Sequence, residues 1–167
     1  MVETLSRLLN ALSIRRDVNV YRLVLAPTVD LQSCQSFISA TIVPSVGAVT
    51  AKVGAVDWYG IASGVLVKVA GTTVLPALVG TILINTFNVY AYYVDSAGVV
   101  TSQMGVAGAT LAGVKWPTRP TGKAYLGASL FNPTAASFIG GTTLADAANT
   151  NHVGLNALGG FDQTSLV

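Results

Sequence analysis

From Val18 onward the chain is a series of short runs rich in Val, Thr, Tyr and Ile, each cut by Gly, Pro or Asn. β-Branched and aromatic residues suit a pleated, half-buried surface, and Gly, Pro and Asn carry the turns between such runs. No long amphipathic helix lies between them, so the spacing favours an antiparallel sandwich or barrel over βαβ units. Candidate strands fall at residues 18–25, 37–43, 46–53, 65–70, 87–94, 99–104 and 125–131.

The clearest local element is a hairpin built from residues 87–94, the turn Asp95-Ser-Ala-Gly98 and residues 99–104. Asp95 can accept turn amide hydrogens, and Gly98 can take the positive φ that closes such a loop without a Cβ clash. One face of the first strand carries Phe87, Val89, Ala91 and Tyr93, and the other carries Asn88, Tyr90, Tyr92 and Val94. Burial of both faces implies a central strand of a two-layer fold or a strand with one face in an intersubunit contact. Residues 105–113 are small and without a clear period. In Trp116-Pro-Thr-Arg-Pro-Thr-Gly122 the prolines fix φ and push Trp116 and Arg119 toward an extended, ordered loop. Residues 144–149 are read as one helical turn before a tail ending Gly159-Gly-Phe-Asp162.

The N-terminus differs. Leu5, Leu8, Leu9 and Leu12 stand at i, i+3, i+4 and i+7, one stripe of a helix that Thr4 can cap. A helix of about ten residues is marginal alone, so the stripe needs a partner surface, either the chain's own body or a neighbouring subunit or shell. Charge is concentrated in the same region. Seven of the sixteen charges (Glu3, Arg7, Arg15, Arg16, Asp17, Arg22 and Asp30) precede residue 31, and nine serve the other 137 residues.

At 10% charged residues against roughly 25% in an average soluble domain, the body is made of Ala, Val, Gly, Thr, Ser, Leu and Asn. Such a surface suits burial against copies of itself or against another lattice; the alternative is a monomer coated with Thr, Ser and Asn. A net charge of +2 without clustered Lys and Arg argues against a nucleic-acid binder. The longest apolar run, residues 74–84, carries Pro76 and Thr81 and falls short of the ~20 residues needed to span a bilayer, so no membrane partner is expected. Polar residues interrupt the N-terminal leucines, and the chain reads as soluble without a secretory signal.

Catalytic chemistry finds little footing. His152 is the only histidine and sits in the polar stretch Asn149-Thr-Asn-His-Val-Gly154, a poor setting for a catalytic triad or a metal site. Asp57 precedes Trp58-Tyr59, an acid beside aromatic rings, but reads better as a turn aspartate followed by core aromatics than as half of a glycosidase pair. Gly105, Gly108 and Gly113 fit no phosphate-binding pattern. Cys34 excludes an intramolecular disulfide and carries no role. No enzyme activity, cofactor or metal is expected.

Residues 87–94, Asp95-Ser-Ala-Gly98, Gly108-Ala-Thr-Leu-Ala112, Trp116-Pro-Thr-Arg-Pro-Thr-Gly-Lys-Ala-Tyr-Leu-Gly127 and Phe138-Ile-Gly-Gly-Thr-Thr-Leu-Ala-Asp146 together resemble virion structural proteins of tailed bacteriophages, the head-fibre and head-decoration class of β proteins. The resemblance covers roughly residues 57–150 and leaves Met1 to Asp30 outside it. It implies an all-β subunit, jelly-roll or related sandwich, assembled as a homotrimer on the major capsid protein at the outer surface of the phage head after synthesis in the host cytoplasm.

The expected organisation is therefore an N-terminal helix and arm over residues 1–30, for capsid docking or subunit contact, and one β domain over residues 31–167. The expected role is a non-enzymatic capsid decoration, or cement, subunit. Leu5, Leu8, Leu9 and Leu12 would supply apolar anchoring, and Arg15, Arg16 and Arg22 would pair with capsid carboxylates. The alternative is a head or tail fibre domain that stacks host glycan on Trp58, Tyr59 and Trp116, or binds another host receptor.

Overall fold

The computed structural model describes residues 33–156. The leucine stripe, Arg15, Arg16, Arg22, the candidate strand at 18–25 and the tail beyond Asn156 lie outside the described residues. Among the described residues eleven strands follow one another: β1 (Gln35–Ser36), β2 (Val43–Pro44), β3 (Ala51–Lys52), β4 (Trp58–Ala62), β5 (Val65–Val69), β6 (Thr81–Ile82), β7 (Asn88–Val94), β8 (Val100–Met104), β9 (Ala124–Phe131), β10 (Phe138–Ile139) and β11 (Val153–Leu155). Helical geometry among the described residues is confined to Ser33 and a three-residue 3-10 turn, Leu111–Gly113. The fold class is all-β.

The largest sheet is antiparallel, in the order β11-β9-β7-β8. A three-stranded sheet has the order β1-β4-β5, and β10-β6 and β2-β3 form two small pairs. The β7–β8 hairpin closes as its chemistry dictates. Asp95 Oδ1 accepts from the amides of Ala97 and Val99, both at 3.0 Å, and Gly98 holds φ +79°.

All seven residues of β7 are buried, which makes it the central strand of the structure. Tyr90, Tyr92 and Val94 face a core shared with Trp58, Leu78, Ile82, Leu126, Phe131 and Phe138. There Phe131 stacks on Phe138 with ring centroids 4.4 Å apart, and Tyr90 meets Phe131 edge-on at 5.8 Å. The opposite face of β7, with Val89, Ala91 and Tyr93, packs on Val114, Tyr125 and Ala128. A bulge in β9 keeps both faces apolar. Tyr92 pairs with Gly127 and Tyr93 with Tyr125, so Leu126 is an extra residue that turns inward while Tyr125 turns outward. The small sheet is tied to this one by the Ser36 hydroxyl, which donates to the Tyr125 carbonyl.

Several expected elements differ from those observed. The strand expected at 37–43 is absent: after one further ladder bond from the Phe37 amide to the Tyr59 carbonyl, the chain leaves the sheet, with Phe37 and Ile38 exposed. The run at 46–53 is mostly turn, because the Ser45 amide closes onto the Thr50 carbonyl and leaves only β2 and β3 as a pair. Residues 144–149 form successive turns and no helical turn. The Ala147 amide bonds to the Leu144 carbonyl, and the Thr150 hydroxyl accompanies the carbonyls of Ala145 and Ala147, drawing this segment into a side-chain-bonded loop. Trp58–Ala62, not among the expected strands, forms the middle of the three-stranded sheet.

Candidate contact surface and buried relay

Only eight charged side chains occupy the 124 described positions: Lys52, Asp57, Lys68, Asp95, Lys115, Arg119, Lys123 and Asp146. Large apolar side chains take the places charge would fill. Val46 is 87% exposed, Val79 77%, and Leu66, Val56, Leu83, Val74 and Val106 each exceed half exposure. Isolated exposed apolar residues are ordinary, but this number goes beyond scattered single exposures on a surface so poor in charge among the described residues.

The outer face of the large sheet adds a concave element. After β8 the chain doubles back. Phe87 and Gly108 exchange backbone bonds, as do Val106 and Lys115, and the 3-10 turn at Leu111–Gly113 stands off the sheet between them. Beneath it lies a groove of about 460 Å³ lined by Val89, Leu111, Ala112, Val114, Trp116, Leu130 and Leu155. Its lining contains no titratable side chain, so it can receive an apolar group but has no acid, base or nucleophile.

The three aromatic residues singled out for glycan stacking separate. Trp58 is fully buried and its indole ring belongs to the inner core, so it offers no face to a sugar, a correction to the expectation. Its Nε1 has no hydrogen-bond partner among the described residues. Tyr59 is half-buried beneath Lys68, whose Nζ lies 5.7 Å from the ring centroid. Trp116 is half-buried, meets Tyr125 edge-on at 6.2 Å and forms one wall of the groove. Asp57 lies just before β4 and reaches across to the segment around β5: Oδ1 accepts from the Gly71 amide at 2.8 Å, and Oδ2 lies 2.6 Å from Lys68 Nζ. The Lys68 ammonium, then the Gly71 amide, hold the Asp57 carboxyl below the usual range, and Asp57 in turn raises Lys68.

A cluster the sequence did not reveal lies on the inner side of β9. His152 Nε2 is 2.8 Å from Ser129 Oγ, which in turn is 3.2 Å from the Tyr92 hydroxyl. The imidazole edge also meets the Phe131 ring, with centroids 4.9 Å apart. The hydroxyl and imidazole have the spacing of a nucleophile and its base, but Ser129 is fully buried and no carboxylate orients the histidine among the described residues. Burial pushes His152 down to about 4, so it is neutral at neutral pH. Burial raises the Tyr92 hydroxyl despite its bond to Ser129, and raises Tyr90 to about 12. These groups satisfy one another and pin the segment before β11 to β9.

Among the described residues no three of His, Cys, Asp or Glu converge as metal ligands, and no helix is long and apolar enough to cross a membrane. Cys34 is buried, with its sulfur 3.5 Å from the Ser63 amide. No protein-family model matches the chain, and no curated protein or solved structure is similar to it.

Proposed function

We propose that this chain is a virion structural protein of a tailed bacteriophage, a decoration subunit that binds the major capsid protein lattice on the outer surface of the head and stabilises the mature shell. The observation that carries this reading is the surface: eight charges across 124 residues, with exposed valines and leucines where a free-standing monomer would carry Lys and Glu. The bacteriophage class itself comes from the sequence resemblance over roughly residues 57–150.

In this reading the four- and three-stranded sheets are the layers of a jelly-roll or related sandwich, and subunits associate as homotrimers. The stabilising mechanism is mass action. A subunit that binds only the assembled lattice favours that state over its dissociated or immature forms. Leu5, Leu8, Leu9 and Leu12 supply apolar anchoring, and Arg15, Arg16 and Arg22 pair with capsid carboxylates. The fibre alternative keeps Trp116 and the half-buried Tyr59, but the groove Trp116 borders has an apolar lining whose one polar side-chain group is the indole N–H, which favours a protein contact.

The test is binding of the purified full chain to heads of the encoding phage that lack it. Saturable binding that survives Trp116→Ala, but is lost in the Leu8→Asp, Leu9→Asp double variant with its β body folded, is the expected result. Heads that bind nothing overturn the proposal. Undiminished binding by the double variant overturns the anchoring role, and binding to host cells lost on Trp116→Ala moves the protein to the fibre class.

A further inference from the structure

The two edges of the large sheet are finished differently. On the β11 side, the Ile42 segment lies against the strand so closely that a Cβ on Gly154 would sit on the Ile42 carbonyl oxygen, and the Ile42 amide donates to Asn156 Oδ1 at 3.3 Å. On the β8 side no strand is paired among the described residues.

The orientation of the free groups follows from the ladder. The Asp95 amide bonds to the Val99 carbonyl, and the Gly105 amide to the Val89 carbonyl, so Val99, Thr101, Gln103 and Gly105 direct their backbone toward β7. Val100, Ser102 and Met104 therefore direct theirs outward. Three of the features that protect an edge are missing from β8: Val100–Met104 contains no charge, no proline and no bulge.

We infer that β8 is a self-association edge, pairing antiparallel with β8 of a second copy about a two-fold axis at Ser102. This register is fixed by the strand itself. The pairing of Val106 with Lys115 occupies the edge just beyond Met104, and the Asp95–Gly98 turn bends away before Val100, leaving one five-residue window. Centred on Ser102, all three outward residues exchange both bonds: Ser102 with the second copy's Ser102, and Val100 with the second copy's Met104.

The side chains suit that register as well. Val100 meets Met104, an apolar pair, and Thr101 meets Gln103. Lys123, whose Nζ lies 3.1 Å from Thr101 Oγ1, then faces an uncharged amide across the seam, so the two copies bring no like charges together. Val99 and Val106, 55% and 62% exposed, lie at the two ends of the seam. The result is one continuous eight-stranded sheet across two copies. This contact is two-fold and independent of the trimer in the proposed function, so the failure of either leaves the other standing.

The test uses cysteine pairs in the full chain. Directly opposed hydrogen-bonded residues have Cα atoms about 5.5 Å apart, inside the disulfide range of about 4.4–6.8 Å. Ser102→Cys should therefore form a covalent dimer under mild oxidation. A mixture of Val100→Cys and Met104→Cys should form the mixed dimer, and either alone should give far less. Ser102→Pro removes an amide hydrogen that points outward and leaves the bonds to β7 through Thr101 and Gln103, so by sedimentation it should abolish the two-fold association with circular dichroism unchanged. A wild-type chain monomeric at millimolar concentration, cysteine variants that crosslink without regard to register, or association unaltered by Ser102→Pro would each overturn the inference.

Discussion

Leu130 and Phe131 are neighbours on β9 and face opposite sides of the same sheet. Phe131 points into a closed core, stacked on Phe138 and edge-on to Tyr90, with nothing left exposed. Leu130 points to the outer side and borders the open groove beneath the Leu111–Gly113 turn. The inner face has large rings in contact and the hydrogen-bonded relay of Tyr92, Ser129 and His152. The outer face carries Tyr93, Tyr125 and Trp116 as well, but beside a doubled-back loop and, among the described residues, a groove. Both are apolar, so the contrast is in closure: among the described residues the inner face is a closed core, whereas the outer one borders a groove. Stability should reside on the first face and association on the second.

The largest expected effect tests that division. Phe131→Ala should cost about 3–5 kcal/mol in chemical denaturation, the range for a large core ring that leaves a cavity. Leu130→Ala should cost only about 1 kcal/mol, because its side chain already borders open space and leaves no closed void. Equal losses would mean that the outer face is core, and would break the comparison.

Next in size is the relay behind Phe131. Ser129→Ala leaves the Tyr92 hydroxyl and His152 Nε2 without their shared partner and should cost about 1–3 kcal/mol. The same cluster sets a pH dependence. Unfolded, His152 takes its proton near 6.5; folded, it does so at about 4. Between those values the unfolded state holds more protons, so stability should fall as pH drops through that window. Denaturation midpoints from pH 7 to pH 4 should show this slope in the wild type and lose it in His152→Gln. An unchanged slope would place the titrating group elsewhere.

The smallest effect concerns a position that belongs to neither face. Asp95→Ala removes the acceptor for two turn amides that water can satisfy instead, and should cost about 1 kcal/mol, read as a shift in denaturation midpoint. A loss as large as that of Phe131→Ala would make the hairpin turn, and not the inner core, the anchor of the sheet.

Legibility in the sequence followed the range of the interactions. The β7–β8 hairpin could be read because Asp95 and Gly98 act within four residues of each other, and β5 and β9 announce themselves as runs of β-branched and apolar residues. The two-residue strands could not, since β1, β6 and β10 are defined by distant partners and have no length of their own to show a period. Trp58–Ala62 was obscured by Gly60, which sits in mid-strand because the Trp58 ring lies across it, leaving no room for a Cβ. The relay joins residues 92, 129 and 152, and Ser129 looks in sequence like any small polar residue in a strand. The groove depends on the small, aperiodic stretch after β8, whose conformation is set by backbone bonds to Phe87 and Lys115.

We propose that the charge-poor surface of the described residues is covered in an assembled virion. Quantitative mass spectrometry on separated heads and tails of the encoding phage tests it most directly. The expected result is this chain on heads, in copies by the hundred and in fixed ratio to the major capsid protein; its absence from particles, or a few copies confined to tails, would overturn the proposal.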